Sequence, residues 1–336
     1  MFWGAAITAF LALLLFPSQA YAWGLATHVE VARILMSDYR DVLQAFASCI
    51  LAQPDAFMYG SISPDHFLMK NLKRYRDHSH NWDNAFEMLK NSNSPRLEAF
   101  SLGYLAHLAA DAVAHNIFVP GQIATSEGIA ARRHTIWELR FDCYQPHEAA
   151  TKVLELEQLP QRRELDRFLA SFHTPSVFDL PTNLQLTSGA HRVLHSSSTR
   201  SWVGRLESRA VSRVSQDDVR FYNRMSLLYV LDVIRHGPNS LVVGLDPRGG
   251  EQIASARYVA KESKRDAVIR EMAASRFVGG GPKPALPSRK SLHSDVLSTY
   301  LSQNVHLQEK FGFSRLDGAG PPSPSGLPGG RGRLRK

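Results

Sequence analysis

The stretch from Gly103 to Gly121, GYLAHLAADAVAHNIFVPG, places His107, Asp111 and His115 at successive four-residue steps in an otherwise apolar run. The periodicity is helical, and Pro120 is expected to end the helix. Each step of four advances about 40° and 6 Å, so the three side chains form a slanted row on one face and can reach a common centre. The rest of that face is Leu, Ala and Val. Three titratable groups projecting into a core need partners there, because an unpaired buried polar group is costly. Zinc ions satisfy imidazoles and a carboxylate together, and metal binding is the reading of this row.

Helical spacing dominates the chain from residue 27 to about 275. Thr27 and Glu30 stand in capping-box spacing before an amphipathic stretch through Met36. Helices are expected over 41–51, 82–89, 97–118, 129–141, 156–172, 218–235 and 251–275, with Gly237-Pro238 as a stop signal. Strand-like alternation is scarce, and LVVGL at 241–245 is the one tempting run. The fold class is all-α, a multi-helix single domain built around a zinc cluster, without internal repeats. A chain of 336 residues, 44% hydrophobic, can bury the core this requires.

Both ends read differently. Residues 4–16, GAAITAFLALLLF, have the length of a signal-peptide h-region, and Ala20-Tyr21-Ala22 completes an A-x-A cleavage site, although Met1 to Trp3 supply no Lys or Arg. A cut after Ala22 would export the protein to the periplasm or medium. In such a compartment Cys49 and Cys143 could pair, or remain two buried thiols. At the other end, residues 281–336 hold nine Lys or Arg against three Asp or Glu, a net +6 of the chain's +8. Pro/Gly-rich segments there, GGGPKPALPS and GAGPPSPSGLPGGRGRLRK, read as largely disordered, with a short helix expected around Leu297 to Lys310. Three segments result: 1–22 a signal peptide, 23–278 the helical domain and 279–336 a basic tail. A domain nearly neutral outside its tail disfavours a nucleic-acid partner.

Other segments supply further candidate ligands. His134 and Glu138 in RRHTIWELRFD stand four apart on a helix, a second half-site. GSISPDHF places Asp65 after a Ser-Pro turn, and RDHSHNWD offers His78 or His80 just before a helix. His191 and His195 have ligand spacing but no third ligand in register, and read as structural or surface residues. His66, His147, His173, His236, His293 and His306 are assigned no site.

Taken in order, W-x4-H (Trp23, His28), S-P-D (Asp65), H-x-x-D (His80, Asp83), H-x3-D-x3-H and H-x3-E resemble the zinc-dependent phospholipase C family, related in fold to the single-strand-preferring zinc nucleases. The resemblance covers roughly residues 23–142. It implies that the mature chain starts at Trp23, whose free α-amine and carbonyl would bind zinc with His28. It implies three ions: one held by Trp23 and His28 and joined through Asp111 to a second, held by His80, His107 and Asp65; and a third on His115, His134 and Glu138. The spacing from Asp111 to His115 is shorter than in the secreted bacterial phospholipases, closer to the lipid-anchor-cleaving branch. Closely spaced zinc ions polarise phosphodiester oxygens and lower the pKa of water towards 7, and the resemblance makes Asp65 the group that orients or deprotonates that water. The implied activity is phosphodiester hydrolysis by a phospholipase C, with phospholipid or a membrane surface as substrate and no protein partner inferred. A nuclease or other phosphodiesterase on the same scaffold, and a non-catalytic metal-stabilised membrane-binding module, are the alternatives. Headgroup preference would lie in residues 150–275, where no motif is recognisable.

Overall fold

Helical periodicity becomes helix almost throughout the residues described by the computed structural model, which are 23–67, 78–125, 134–173, 178–194, 196–209 and 214–261. No strand occurs among them, as expected. In chain order the helices are α1 Leu25–Asp38, α2 Arg40–Phe46, α3 Ser48–Ala52 and α4 Pro54–Gly60, followed by a 3-10 turn, Ser63–His66. Then come α5 Trp82–Lys90, α6 Pro95–Val113, a π turn at Ala114–Phe118, α7 Val119–Thr125 and α8 His134–Asp142. The remainder is α9 His147–Leu156, α10 Arg162–Ser171, α11 Leu180–Leu194, α12 Ser197–Arg209, α13 Gln216–His236 and a helix over 250–261. All these residues lie in the unit Met1–Gly280. The expected leader, the basic tail and its short helix lie outside the described residues. No described helix is long and apolar enough to cross a membrane.

Capping explains several boundaries. Ser94 accepts from the Leu97 N–H with Pro95 in the first turn of α6, and Asn81 accepts from the Asp83 N–H at the start of α5. Ser215 and Asp218 form a reciprocal capping box on α13. The box expected at Thr27 and Glu30 does not form. Helix α1 begins three residues earlier, at Leu25 behind Gly24. Thr27 instead donates through N–H and Oγ1 to Asp142 Oδ1, at 2.7 and 2.9 Å, which ties α1 to the end of α8. A Cβ on Gly24 would stand 2.2 Å from Asp142 Cγ, so the approach requires glycine.

Other expectations shift for local reasons. The helix foreseen over 156–172 is two: α9 ends at Leu156, and Pro160, lacking an N–H, falls between it and α10. The one foreseen over 41–51 breaks at Ala47, whose ψ of 53° is not helical. LVVGL is no strand; Leu241–Gly244 winds as a 3-10 turn capped by the Ser240 hydroxyl, since no partner strand offers it a ladder. Pro120 does not end the helical path. The π turn intervenes after Val113, with the Val119 N–H bonded to the Ala114 carbonyl, and the winding runs on through Pro120 into α7.

The core is centred on α6, which is buried on nearly every face between Leu97 and Val113 and packs against α4 and α13. Two glycines bring α4 and α6 into backbone contact. A Cβ on Gly103 would lie 2.0 Å from the Phe57 carbonyl oxygen, and one on Gly60 2.0 Å from that of Phe100. That contact puts the chain leaving α4, with Ser61 and the turn bearing Asp65, directly beside His107. No disulfide joins Cys49 and Cys143, so the pairing considered for them is absent.

Candidate metal centre

Asp111, on α6, is wholly buried and faces three imidazoles. Its Oδ1 is 3.2 Å from His28 Nε2, and its Oδ2 is 3.0 Å from His80 Nε2 and 3.1 Å from His107 Nε2. Asp65 Oδ1 approaches His80 Nε2 at 3.5 Å and His107 Nε2 at 4.0 Å. Four segments far apart in sequence thus bring their donors to one place. Two sets could each hold an ion, His28, His107 and Asp111 on one side, and Asp65, His80 and His107 on the other.

The atoms have the character of metal ligands rather than of a hydrogen-bonded network. His28 Nε2 and both Asp111 oxygens are buried without a hydrogen-bond partner, despite their short approaches. A tetrahedral zinc with ligands about 2.0–2.1 Å away has ligand-to-ligand edges of about 3.3–3.4 Å, and the observed spacings bracket that value. Tautomers point the same way. His107 Nδ1 donates to the Ser61 carbonyl at 2.8 Å, leaving Nε2 as the nitrogen turned to the centre. His80 Nδ1 is 3.1 Å from the Ser79 hydroxyl, and its Nε2 lies 3.1 Å from His107 Nε2. Two ring nitrogens so close need a hydrogen or a metal ion between them. Outer partners that fix the inner nitrogen in this way are typical of metal-ligating histidines. His78 lies one layer back, its Nδ1 accepting from the His80 N–H at 2.9 Å. The centre thus takes in His80 and not its neighbour.

The electrostatics match. Burial resists ionisation of Asp111, but His107, His28 and His80 outweigh it and hold its carboxyl well below the usual carboxylate range. Burial and His107 push His28 down, while at His107 the pull of Asp111 and Asp65 overcomes burial and raises it.

His115 does not close onto the same point as His107 and Asp111. It sits in the π turn, its Nδ1 donating to the Pro247 carbonyl at 2.6 Å and its Nε2 lying 3.4 Å from Glu138 Oε1. Both Glu138 oxygens are buried without a hydrogen-bond partner. His134 opens α8; its side chain lies outside the described residues. His115 and Glu138 thus meet apart from the Asp111 cluster, while the half-site expected of His134 with Glu138 rests on a side chain outside the described residues.

Trp23 is a buried anchor. Its indole N–H donates to the Ala110 carbonyl at 2.9 Å, and its ring packs 4.0 Å from Phe141 and 5.0 Å from Phe118. The chain at Trp23 is thereby pinned one residue from Asp111.

Several supporting groups escape sequence reasoning because they act through the backbone. Ser61 and Pro247 offer carbonyls, and Leu245 to Gly249 wraps the π turn: the Leu245 carbonyl accepts from Trp82, and that of Asp246 from Asn116. Gly249, at φ +53°, lies so close to His115 that a Cβ would stand 2.2 Å from the His115 carbonyl oxygen. The Asp-Pro and Gly-Gly pairs in GLDPRGG mark this turn. Nothing in them names His115 as its partner.

The His115 and Glu138 pair sets a pH dependence. In protein stripped of metal by a chelator, burial pushes the Glu138 carboxyl up to about 8 against the pull of His115. His115 is raised to about 9, burial being outweighed by the Glu138 carboxyl 3.4 Å from its Nε2. Between 4.5 and about 8 the folded chain holds a proton on Glu138 that the unfolded chain has lost, so stability falls as pH rises. The contribution of His115 is full below 6.5 and is likewise lost by about 9. The chelated protein should therefore melt at a lower temperature near pH 9 than near pH 7. Zinc affinity should rise across that window, since ligation displaces both protons. A melting temperature that rises with pH in the chelated protein would contradict this account.

Residues 27–179 match the family model described as zinc dependent phospholipase C. The matched span includes every residue of the two half-sites, and Trp23 lies just before it. No curated protein and no solved structure matches the chain.

Proposed function

Because residues 27–179 of the chain belong to the zinc-dependent phospholipase C family, we propose that it hydrolyses glycerophospholipids to diacylglycerol and a phospho-headgroup. The observation that carries the reading is the sealed convergence of His28, His80 and His107 on the two oxygens of Asp111, with Asp65 at its edge. In this reading Trp23 and His28 would hold one ion and Asp65, His80 and His107 a second, with Asp111 serving both, and His115, His134 and Glu138 would hold a third. Bound zinc would polarise the phosphodiester oxygens and lower the pKa of water towards 7. Asp65 would orient that water and take its proton as oxygen adds to phosphorus, the bond to the diacylglycerol oxygen breaking as that oxygen takes up a proton.

Purified protein offered phospholipid vesicles and single-stranded DNA in parallel should release diacylglycerol and phospho-headgroup, and a chelator should abolish the reaction. Faster cleavage of the DNA would make the chain a nuclease. Inactivity on both, with zinc retained, would make it a metal-stabilised membrane-binding module.

The reading extends to the N-terminus. An amide nitrogen in mid-chain has no lone pair to give a metal, whereas a free α-amine with a pKa near 8 loses its proton readily on ligation. Cleavage after Ala22 during export would create that donor, at a residue already pinned beside Asp111. Protein beginning at Trp23 should be active. Protein beginning Met-Ala-Trp23 should bind about one zinc ion fewer and hydrolyse phospholipid poorly. Equal zinc in the two forms, with intact mass verifying each N-terminus, would reduce Trp23 to an aromatic anchor.

A further inference from the structure

His66, Glu157 and His191 lie outside the centre described above, in segments far apart in the sequence: the 3-10 turn, the residue after α9, and α11. All three are buried, and one ligand atom from each lies within 4.8 Å of the others. His191 was the histidine whose spacing suggested a structural or surface role. It is buried, with Nδ1 2.6 Å from Glu157 Oε1. That ion pair leaves His66 unexplained. The His66 ring lies against Tyr59 and His191, at 5.6 and 6.1 Å between centroids, and neither of its nitrogens has a hydrogen-bond partner. A wholly buried imidazole satisfied at neither nitrogen, beside a second imidazole and a carboxylate, calls for a ligand between them.

We propose that His66, Glu157 and His191 bind a further divalent transition-metal ion, zinc by their donor set, separate from the centre around Asp111. Two histidines and a glutamate are a zinc donor set that leaves a fourth position for water. Glu157 provides the way in, since it lines a cavity of about 1640 Å³ together with Arg162, Ser188 and Arg192. The ion would cross-link three segments that share no backbone hydrogen bonds, one of them the turn that carries Asp65. The site does not depend on the reading of the first centre.

Zinc counted by plasma mass spectrometry tests it on the full-length protein. Glu157→Gln preserves shape and can still accept from His191, so it retains the packing while removing the anionic ligand. Glu157→Gln and His66→Ala should each carry one zinc ion fewer than the unsubstituted protein, whatever the total. The same difference should appear when Asp111→Ala is added, which separates this site from the proposed catalytic one. Unchanged zinc in folded Glu157→Gln, judged by circular dichroism, would overturn the proposal. Anomalous scattering at the zinc edge on crystals of the unsubstituted protein needs no variant. A peak between His66 and His191 supports the site, and its absence refutes it.

Discussion

Asp111→Ala protein is expected to carry roughly two zinc ions fewer than the unsubstituted chain and to show no measurable hydrolysis of phospholipid. The effect is large because Asp111 serves both sides of the centre at once, with His28 at one oxygen and His80 and His107 at the other. Without it three buried imidazoles face one another, and His28 and His107 stack at 3.9 Å with no anion between them and their neighbours. Folding should weaken as well, since ligands deprived of metal are unpaired polar groups in a core. Asp111→Asn separates the causes. It fills the same volume but turns an amide N–H towards imidazole nitrogens, so it should lose metal while keeping more of the stability. Full zinc content in Asp111→Ala would remove Asp111 from its joining role.

Asp65→Asn should behave differently. Asp65 is wholly buried at the edge of the cluster, 3.5 and 4.0 Å from His80 and His107, rather than at its middle. The amide keeps the shape and one oxygen ligand but lacks the basicity to take a proton from water. Hydrolysis should fall by roughly 10² or more in kcat while the protein stays folded and mostly metallated. Metal content and kcat measured on the same sample distinguish this from loss of the ion. An unchanged rate would place the base elsewhere.

What the sequence discloses and what it withholds divide along a physical line. His107 and Asp111 are legible because a period of 3.6 turns a four-residue spacing into a shared face. Asp65 and His80 are legible only as members of an ordered set, since neither loop has a period of its own. The carbonyls of Ser61, Ala110 and Pro247 are invisible, because any residue offers one and only the fold decides which is near. Gly60 and Gly103 work by what they lack. The grouping of His66 with Glu157 and His191 is hidden for a related reason: no two of the three share an element, so no spacing relates them. Where helix boundaries differ from expectation, at Leu156 and Ala47, the apolar pattern runs on across a break, which Pro160 imposes in the first case and the non-helical backbone of Ala47 makes in the second.

The π turn at Ala114–Phe118 has a consequence for relatives of this chain. A π turn is what an α-helix becomes when it takes in one residue too many without losing its axis. Deleting a single residue there would restore ordinary winding and swing the imidazole of His115 by about 100° about the helix. With Ala114 deleted, Asn116 would stand where His115 now faces Glu138 and the Pro247 carbonyl. Conversely, a relative with a longer interval after its aspartate can present the same imidazole by looping the surplus outward. The single residue that the π turn takes in thus sets which way the His115 imidazole points.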